Sequence, residues 1–305
     1  MARSAYPRRG KRRYDDDEST FLKRDRHRPS LPPADEPISL PEGDRWSTWD
    51  QSSSGERGPR PYPPWLVTDL AAVDTELGVL KTGKEADVFL LRRGVPGTQR
   101  SCLLAAKRYR AAEHRMFQRD SEYLEGRRVR ESRVNRAMAA RSAAGLAMIA
   151  AQWAAAEFAA LSQLHAAGLP VPYPVQVVGT EVLLEFIGEP DGGAAPRLAD
   201  SRPARHELAV LWDQLVAVLC GLASLGYAHG DLSAYNLLVH RGQLIIIDMP
   251  QVVDVIANPR GAVFLDRDAA NVARWFTARG LVDAVPAPAD LASLLRQEAH
   301  LPAAG

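Results

Sequence analysis

The sequence predicts an α+β fold in two lobes, a small β-rich N-terminal lobe and a reduced, mainly helical C-terminal lobe. Three observations lead there. Short apolar and β-branched runs separated by turn residues crowd residues 77–109. An Ala-rich stretch over residues 144–167 favours helix and stops at Gly168, with Pro170 beyond. Leu208, Leu211, Leu215, Leu219 and Leu222 then recur at helical spacing, as a core helix requires. The chain has 305 residues, and the part that looks foldable makes one unit, with an N-lobe at about 65–186 and a C-lobe at about 187–305.

The stretch from Gly78 to Leu91 reads as strand, tight turn, strand, with Thr82, Gly83 and Lys84 at the turn and Glu85 after it. Backbone N–H groups in such a turn can cradle phosphate, and Gly83 permits close approach. An ordinary hairpin carries the same pattern. Cys102 to Tyr109 reads as the next strand. Lys107 near its end is expensive among apolar neighbours unless it meets phosphate or a carboxylate, or snorkels from an edge. On the Ala-rich helix, Trp153, Glu157, Leu161 and Leu164 share one face. Glu157 on that apolar stripe requires a partner, and Lys107 is the natural candidate; a surface cation is the alternative.

The segment from Tyr227 to Asp248 carries most of the chemistry. Asp231 stands five residues before Asn236, after His229-Gly230, and Asp248 ends the run Leu244 to Ile247. Leu237 to Val239 and Leu244 to Ile247 read as two strands around Arg241-Gly242, which brings Asn236 and Asp248 to one end. Phosphoryl transfer uses one carboxylate to orient the acceptor, and an amide oxygen with a second carboxylate to hold a divalent metal against the nucleotide phosphates. Asp231, Asn236 and Asp248 suit those roles in that order. Beyond Asp248 stands Met249-Pro250, and only 57 residues remain. They fit one helix over 269–279, capped by Asp266 or Asp268, and another over 289–298. That leaves too little chain for a large peptide-docking subdomain.

These residues together resemble the RIO family of atypical serine/threonine protein kinases. The likeness runs through Thr82 to Val88, Ala106-Lys107, Asn135-Arg136, Trp153 with Glu157, Leu184 to Gly188, His229 to Asn236, Ile247-Asp248 and Phe264 to Asp268. The Arg-rich insert after Lys107 resembles the first subfamily, and Asp248 to Gln251 the second. The resemblance implies a protein-kinase-like fold lacking the usual activation segment. It implies that Thr82, Gly83, Lys84 and Glu85 cover the triphosphate of ATP and that Lys107, paired to Glu157, holds phosphates. Backbone groups of Glu185 and Ile187 would bind the adenine edge. Asp231 would be the catalytic base, with Asn236 and Asp248 as ligands of Mg2+, or alternatively Mn2+. It also implies autophosphorylation, an acceptor that is a protein or the chain itself, and ATPase activity through an aspartyl phosphate on Asp248.

Residues 1–64 read as a separate tail with charged blocks, then Pro- and Ser-rich sequence, too poor in apolar residues to offset ordering entropy. On that reading, removing residues 1–59 leaves fold and turnover intact. Trp46, Trp49 and Trp65 are unusual there and point to docking on the body. Arg108 to Arg141 holds ten arginines against five acidic residues, a solvated helix or a surface for RNA or a ribosomal particle. Formal net charge is +1, and the two cysteines, Cys102 and Cys220, lie in apolar elements as reduced thiols. No leader follows the early basic residues, and residues 143–161 are too weak for a membrane span, so a cytoplasmic location without membrane contact is expected. Two other classes share the motifs: a small-molecule phosphotransferase of the aminoglycoside or choline kinase type, and an ATP-gated binding module in ribosome assembly.

Overall fold

The computed structural model describes residues 43–110, 143–250 and 252–302. Its N-terminal half is built on a six-stranded antiparallel sheet ordered β1-β2-β3-β4-β6-β5. The strands are β1 (Arg45–Trp46), β2 (Val73–Thr82), β3 (Ala86–Gly94), β4 (Ser101–Tyr109), β5 (Pro174–Val178) and β6 (Glu181–Glu185). The predicted turn between β2 and β3 is tight. Gly83 N–H donates to the Ala86 carbonyl at 3.0 Å, and a Cβ on Gly83 would come within 2.7 Å of that oxygen. Helix α1 (Ala143–Ala166) covers one face of the sheet. Ala150, Ala154 and Phe158 pack there on Ala86, Tyr109, Val177 and Val182.

The opposite face is covered by residues 49–67, most of which the sequence assigns to the tail. Leu91, Leu104, Ala106, Val175 and Leu183 point that way and pack on Trp49, Leu66 and Val67, with Tyr62 beside them. Trp49 is 5% exposed. The Arg57 guanidinium lies 4.7 Å from the Trp49 ring centroid and donates to the Trp49 carbonyl at 2.7 Å. Thr48 Oγ1 accepts from Gln176 Nε2 at 2.8 Å; Gln176 in turn joins the buried pair Arg93–Asp74. Gly58 N–H donates to the Val175 carbonyl at 3.0 Å, and a Cβ on Gly58 would sit 1.9 Å from the Pro174 carbonyl oxygen. The boundary at residue 64 is therefore corrected: residues 43–64 belong to the folded body. The reason is local. β3 and β4 bury side chains on both faces, which leaves an apolar outer surface to be covered. Trp49, Tyr62 and Leu66 supply the area. Residues 1–42 and 111–142, including Asn135-Arg136 and most of the Arg-rich insert, lie outside the described residues.

The C-terminal half is mainly helical. It contains α2 (Arg205–Ser224), β7 (Tyr227–Ala228), β8 (Leu237–His240), β9 (Gln243–Ile246), β10 (Val253–Asp254), α3 (Gly261–Ala278) and α4 (Pro288–Glu298). The predicted leucines of α2 meet Leu265, Val272 and Phe276 of α3 and Leu291 and Leu295 of α4. Leu161 and Leu164, at the end of α1, join this same core. β8 and β9 form the predicted hairpin, with Arg241 at φ 52° and Gly242 at φ 74°, the pair of left-handed residues that a two-residue turn prefers. By length and composition α1 and α2 could each cross a membrane. Each instead sets an apolar face into the protein core.

Helix α3 begins eight residues earlier than expected, so neither Asp266 nor Asp268 caps it; its N-cap is Arg260. Asp266 pairs with Arg296 of α4, and Asp268 faces inward from the middle of the helix.

Candidate active site

Lys107 lies on β4, and its ammonium donates to Glu157 Oε1 and to Asp248 Oδ1, each at 2.6 Å. Glu157 is 1% exposed and accepts three bonds: from Lys107, from the Tyr109 hydroxyl and from the Met249 N–H at 3.1 Å. α1 supplies Glu157, β4 supplies Lys107 and Tyr109, and the chain just past β9 supplies Asp248 and Met249. Removal from water would lower the Lys107 pKa, but the carboxylates of Glu157 and Asp248 hold it above its ordinary value. Burial would raise the Asp248 pKa, yet the Lys107 ammonium, helped by Lys81, holds it below the usual range. Both groups are thus charged near neutrality. Burial, and then Glu157, push the Tyr109 phenol well up, so it stays a donor. Asp248 has φ 67°, a left-handed conformation that Asp tolerates better than most residues. Bonds on either side of it, from Lys107 and from Met249 to Glu157, hold that turn.

The loop carrying Asp231 is fixed from behind. Asp268, 1% exposed, accepts from the Gly230 N–H at 2.9 Å and from the Leu232 N–H at 3.1 Å. Burial raises its pKa, with His229 and the two N–H donors opposing. His229 Nε2 lies 3.2 Å from the Ile247 carbonyl, and the Asp231 N–H donates to His229 Nδ1 at 3.3 Å. The Asp231 carboxylate is exposed and has no side-chain partner among the described residues. Asn236 Nδ2 donates to the Asp231 carbonyl at 3.0 Å, and the Ile247 N–H donates to the Asn236 carbonyl at 3.0 Å. Those bonds hold Asn236 beside the strand end that bears Asp248.

Asn236 and Asp248 fit a hard divalent cation. With Nδ2 committed to backbone, the amide presents Oδ1, which accepts no protein hydrogen bond among the described residues. An amide oxygen and a carboxylate are the donors such ions take, with phosphate and water completing the shell.

The remaining predicted residues stand at the β2–β3 turn and at the end of β6 and just past it. Thr82, Lys84 and Glu85 are exposed at the β2–β3 turn, and Gly83 lies between them. At the strand end after β6, the Glu185 N–H donates to the Tyr173 carbonyl and the Ala195 N–H to the Ile187 carbonyl. The Ile187 N–H has no protein acceptor among the described residues. A cavity of about 480 Å³ lies elsewhere, between α1 and residues 55–59, and includes none of these groups.

Three residues escaped the sequence reading. Tyr109 was detectable from period two, since it shares a face with Lys107. Asp268 carried the same signal as Glu157, a carboxylate on an apolar helix face beside Leu265 and Val272. Lys81 required the strand register. Replacing Asp268 with Ala strands two buried N–H groups, so a loss of roughly 2–5 kcal/mol of stability is expected. Chemical denaturation of Asp268→Ala and Asp268→Asn checks it, with Asn, which keeps one acceptor, losing less.

The chain also matches known proteins. The model of the RIO domain matches residues 97–287. The chain is 32% identical over 216 residues to the RIO-type serine/threonine-protein kinase Rio1 of Haloferax volcanii, covering 70% of this chain and 67% of that protein. It is 32% identical over 200 residues to the serine/threonine-protein kinase rio1 of Dictyostelium discoideum, covering 65% of this chain and 32% of the relative. It is 35% identical over 132 residues to the serine/threonine-protein kinase RIO1 of Caenorhabditis elegans, covering 43% and 26%. The matched part thus spans two thirds of the archaeal relative but a third or less of these eukaryotic ones. On the family match over residues 97–287 and the likeness to the Haloferax volcanii protein, the chain belongs to the RIO family of atypical protein kinases.

Proposed function

We propose that this chain is a serine/threonine protein kinase that uses ATP with Mg2+, with Mn2+ as an alternate, and that it phosphorylates a protein or itself. The observation that carries the reading is Lys107 held at 2.6 Å from both Glu157 and Asp248, a buried cation beside a carboxylate that stays partly exposed. In this reading Lys107 lies against phosphate oxygens, and Glu157 and Tyr109 fix its position. Asp231, exposed and unpaired, orients the acceptor hydroxyl and takes its proton. Asn236 and Asp248 hold the metal, which when bound neutralises charge on the phosphates. The turn Thr82 to Glu85 covers them, and the Ile187 N–H with the backbone of Glu185 receives the adenine edge. Turnover through an aspartyl phosphate on Asp248 belongs to the same proposal.

Incubation with Mg-ATP followed by mass spectrometry of the intact and digested protein tests it. Phosphate on Ser or Thr supports kinase activity, and acid-stable silence with hydroxylamine-sensitive phosphate on Asp248 supports the hydrolytic cycle. No phosphate and no ATP consumption would refute both. Lys107→Ala should reduce turnover by ~100-fold or more, because it removes a preorganised charge from a dry site. Lys107→Arg should not restore it, since the wider guanidinium displaces its partners.

A further inference from the structure

Lys81 is a second lysine on the cleft side of the sheet, and the sequence reading gave it no role. Its strand position is set by register. Lys81 of β2 pairs with Val88 of β3, and Val88 pairs with Lys107 of β4. Directly paired residues of antiparallel strands point to the same face, so Lys81 and Lys107 share the face that bears Asp248. The two backbones are separated by two strand spacings, about 10 Å. An irregularity between Val79 and Lys81 re-aims the strand at this point; without it Lys81 would fall out of this row.

The charges around Lys81 do not balance. Lys81 is half-buried and makes no hydrogen bond or ion pair among the described residues. Burial lowers its pKa, attraction to Asp248 opposes that, and repulsion from Arg197 and Lys107 adds to it. Arg197 comes from the opposite lobe, where its backbone bridges to Leu238 of β8. Its guanidinium also has no side-chain partner among the described residues. Lys107 already has two carboxylates. Lys81 thus stands near Asp248 without a side-chain partner, and Arg197, a second unpartnered cation from the other half, is close enough to repel it. A polyanion placed between them would satisfy both. A neutral or singly charged ligand would not.

We propose that Lys81 is a second phosphate-contacting residue of this chain, on the same sheet face as Lys107, and that it sets the preference for nucleoside triphosphates over shorter nucleotides. The assignment rests on the ATP reading above and adds to it a residue and a selectivity. Its effect grows with the number of phosphates, since each oxygen brought between the two cations adds charge-assisted contact. Lys81 is only half-buried, so its site has room for a guanidinium, unlike the enclosed position of Lys107.

Calorimetric titration of the full chain with Mg-ATP, Mg-ADP and AMP tests this without relying on turnover. Wild type, Lys81→Gln and Lys81→Arg are compared after their melting curves are matched. Lys81→Gln is expected to weaken Mg-ATP binding by ~10-fold or more, Mg-ADP by less and AMP not at all. Lys81→Arg should retain most of the ATP affinity. Unchanged ATP affinity in Lys81→Gln overturns the assignment, and so does an equal loss for AMP and ATP, which would place Lys81 at the nucleoside or in the fold. A wild-type chain that binds none of the three overturns the ATP reading itself, a result recognisable before any variant is measured.

Discussion

Asp231→Ala and Asp248→Ala should each reduce phosphoryl transfer by ~100-fold or more, and only the second should strongly weaken Mg-nucleotide binding. The structure gives the difference a physical basis. The Asp231 carboxylate is exposed and unpaired, while the loop around it is held by backbone bonds to Asp268. Its removal changes the acceptor side and leaves the fold and the metal side untouched. Asp248 is bonded to Lys107 and follows Ile247, whose N–H donates to the Asn236 carbonyl. On the proposed roles, its removal takes away a metal ligand and also frees the Lys107 ammonium to close fully on Glu157. Binding titrations with Mg-ATP, paired with single-turnover measurements, separate the two effects. Equal loss of nucleotide affinity in both variants would show that the roles are misassigned.

Removing residues 1–59 should lower the melting temperature by ~10 °C or more, the reverse of what composition alone implies. The deletion takes Trp49, and truncating a buried Trp costs ~3–5 kcal/mol by itself. For a body of this size, each kcal/mol is worth about 2–4 °C. It also takes Arg57, Ser52 and Thr48, so Gln176 loses its Thr48 contact, and Leu91, Leu104 and Leu183 lose part of their cover. Removal of residues 1–42, which takes none of these groups, is the control and should leave the melt unchanged. Trp49→Ala in the full chain should reproduce a large part of the loss. A melt indifferent to the longer deletion would mean that the sheet's outer face does not depend on this segment.

Much of the fold and the candidate site could be read in the sequence, and the reason is local pattern. The β2–β3 turn, the Ala-rich helix, the leucine-spaced helix α2 and the β8–β9 hairpin each follow from periodicity and turn chemistry within one stretch of chain. Lys107 and Glu157 were suspected as partners because each is a charge on an apolar surface, and such charges need one another. Asp231, Asn236 and Asp248 were legible because their spacing around one hairpin brings them together by short-range geometry.

What the tertiary structure decided involves groups that meet across the chain. The expectation of a tail through residue 64 failed because composition was averaged over a segment whose two tryptophans, Trp46 and Trp49, lie in its last third. Their worth depends on an apolar surface formed by β3, β4, β5 and β6, which no window around Trp49 contains. Asp266 and Asp268 look like helix caps in the sequence because the start of α3 has no side-chain cap to mark it, and the helix begins two turns earlier; Asp268 instead faces inward. Its carboxylate serves the Asp231 loop, 36 and 38 residues away. Lys81 was invisible for a related reason: an irregular register between β2 and β3 determines which face it takes. The sequence by itself determined most of the elements, the family and the residues proposed for phosphoryl transfer, because those depend on chemistry and spacing along the chain. Only the tertiary structure decided which segment completes the sheet, which buried carboxylate holds the loop and which cations remain unbalanced in the cleft, because packing and charge balance are sums over neighbours distant in sequence.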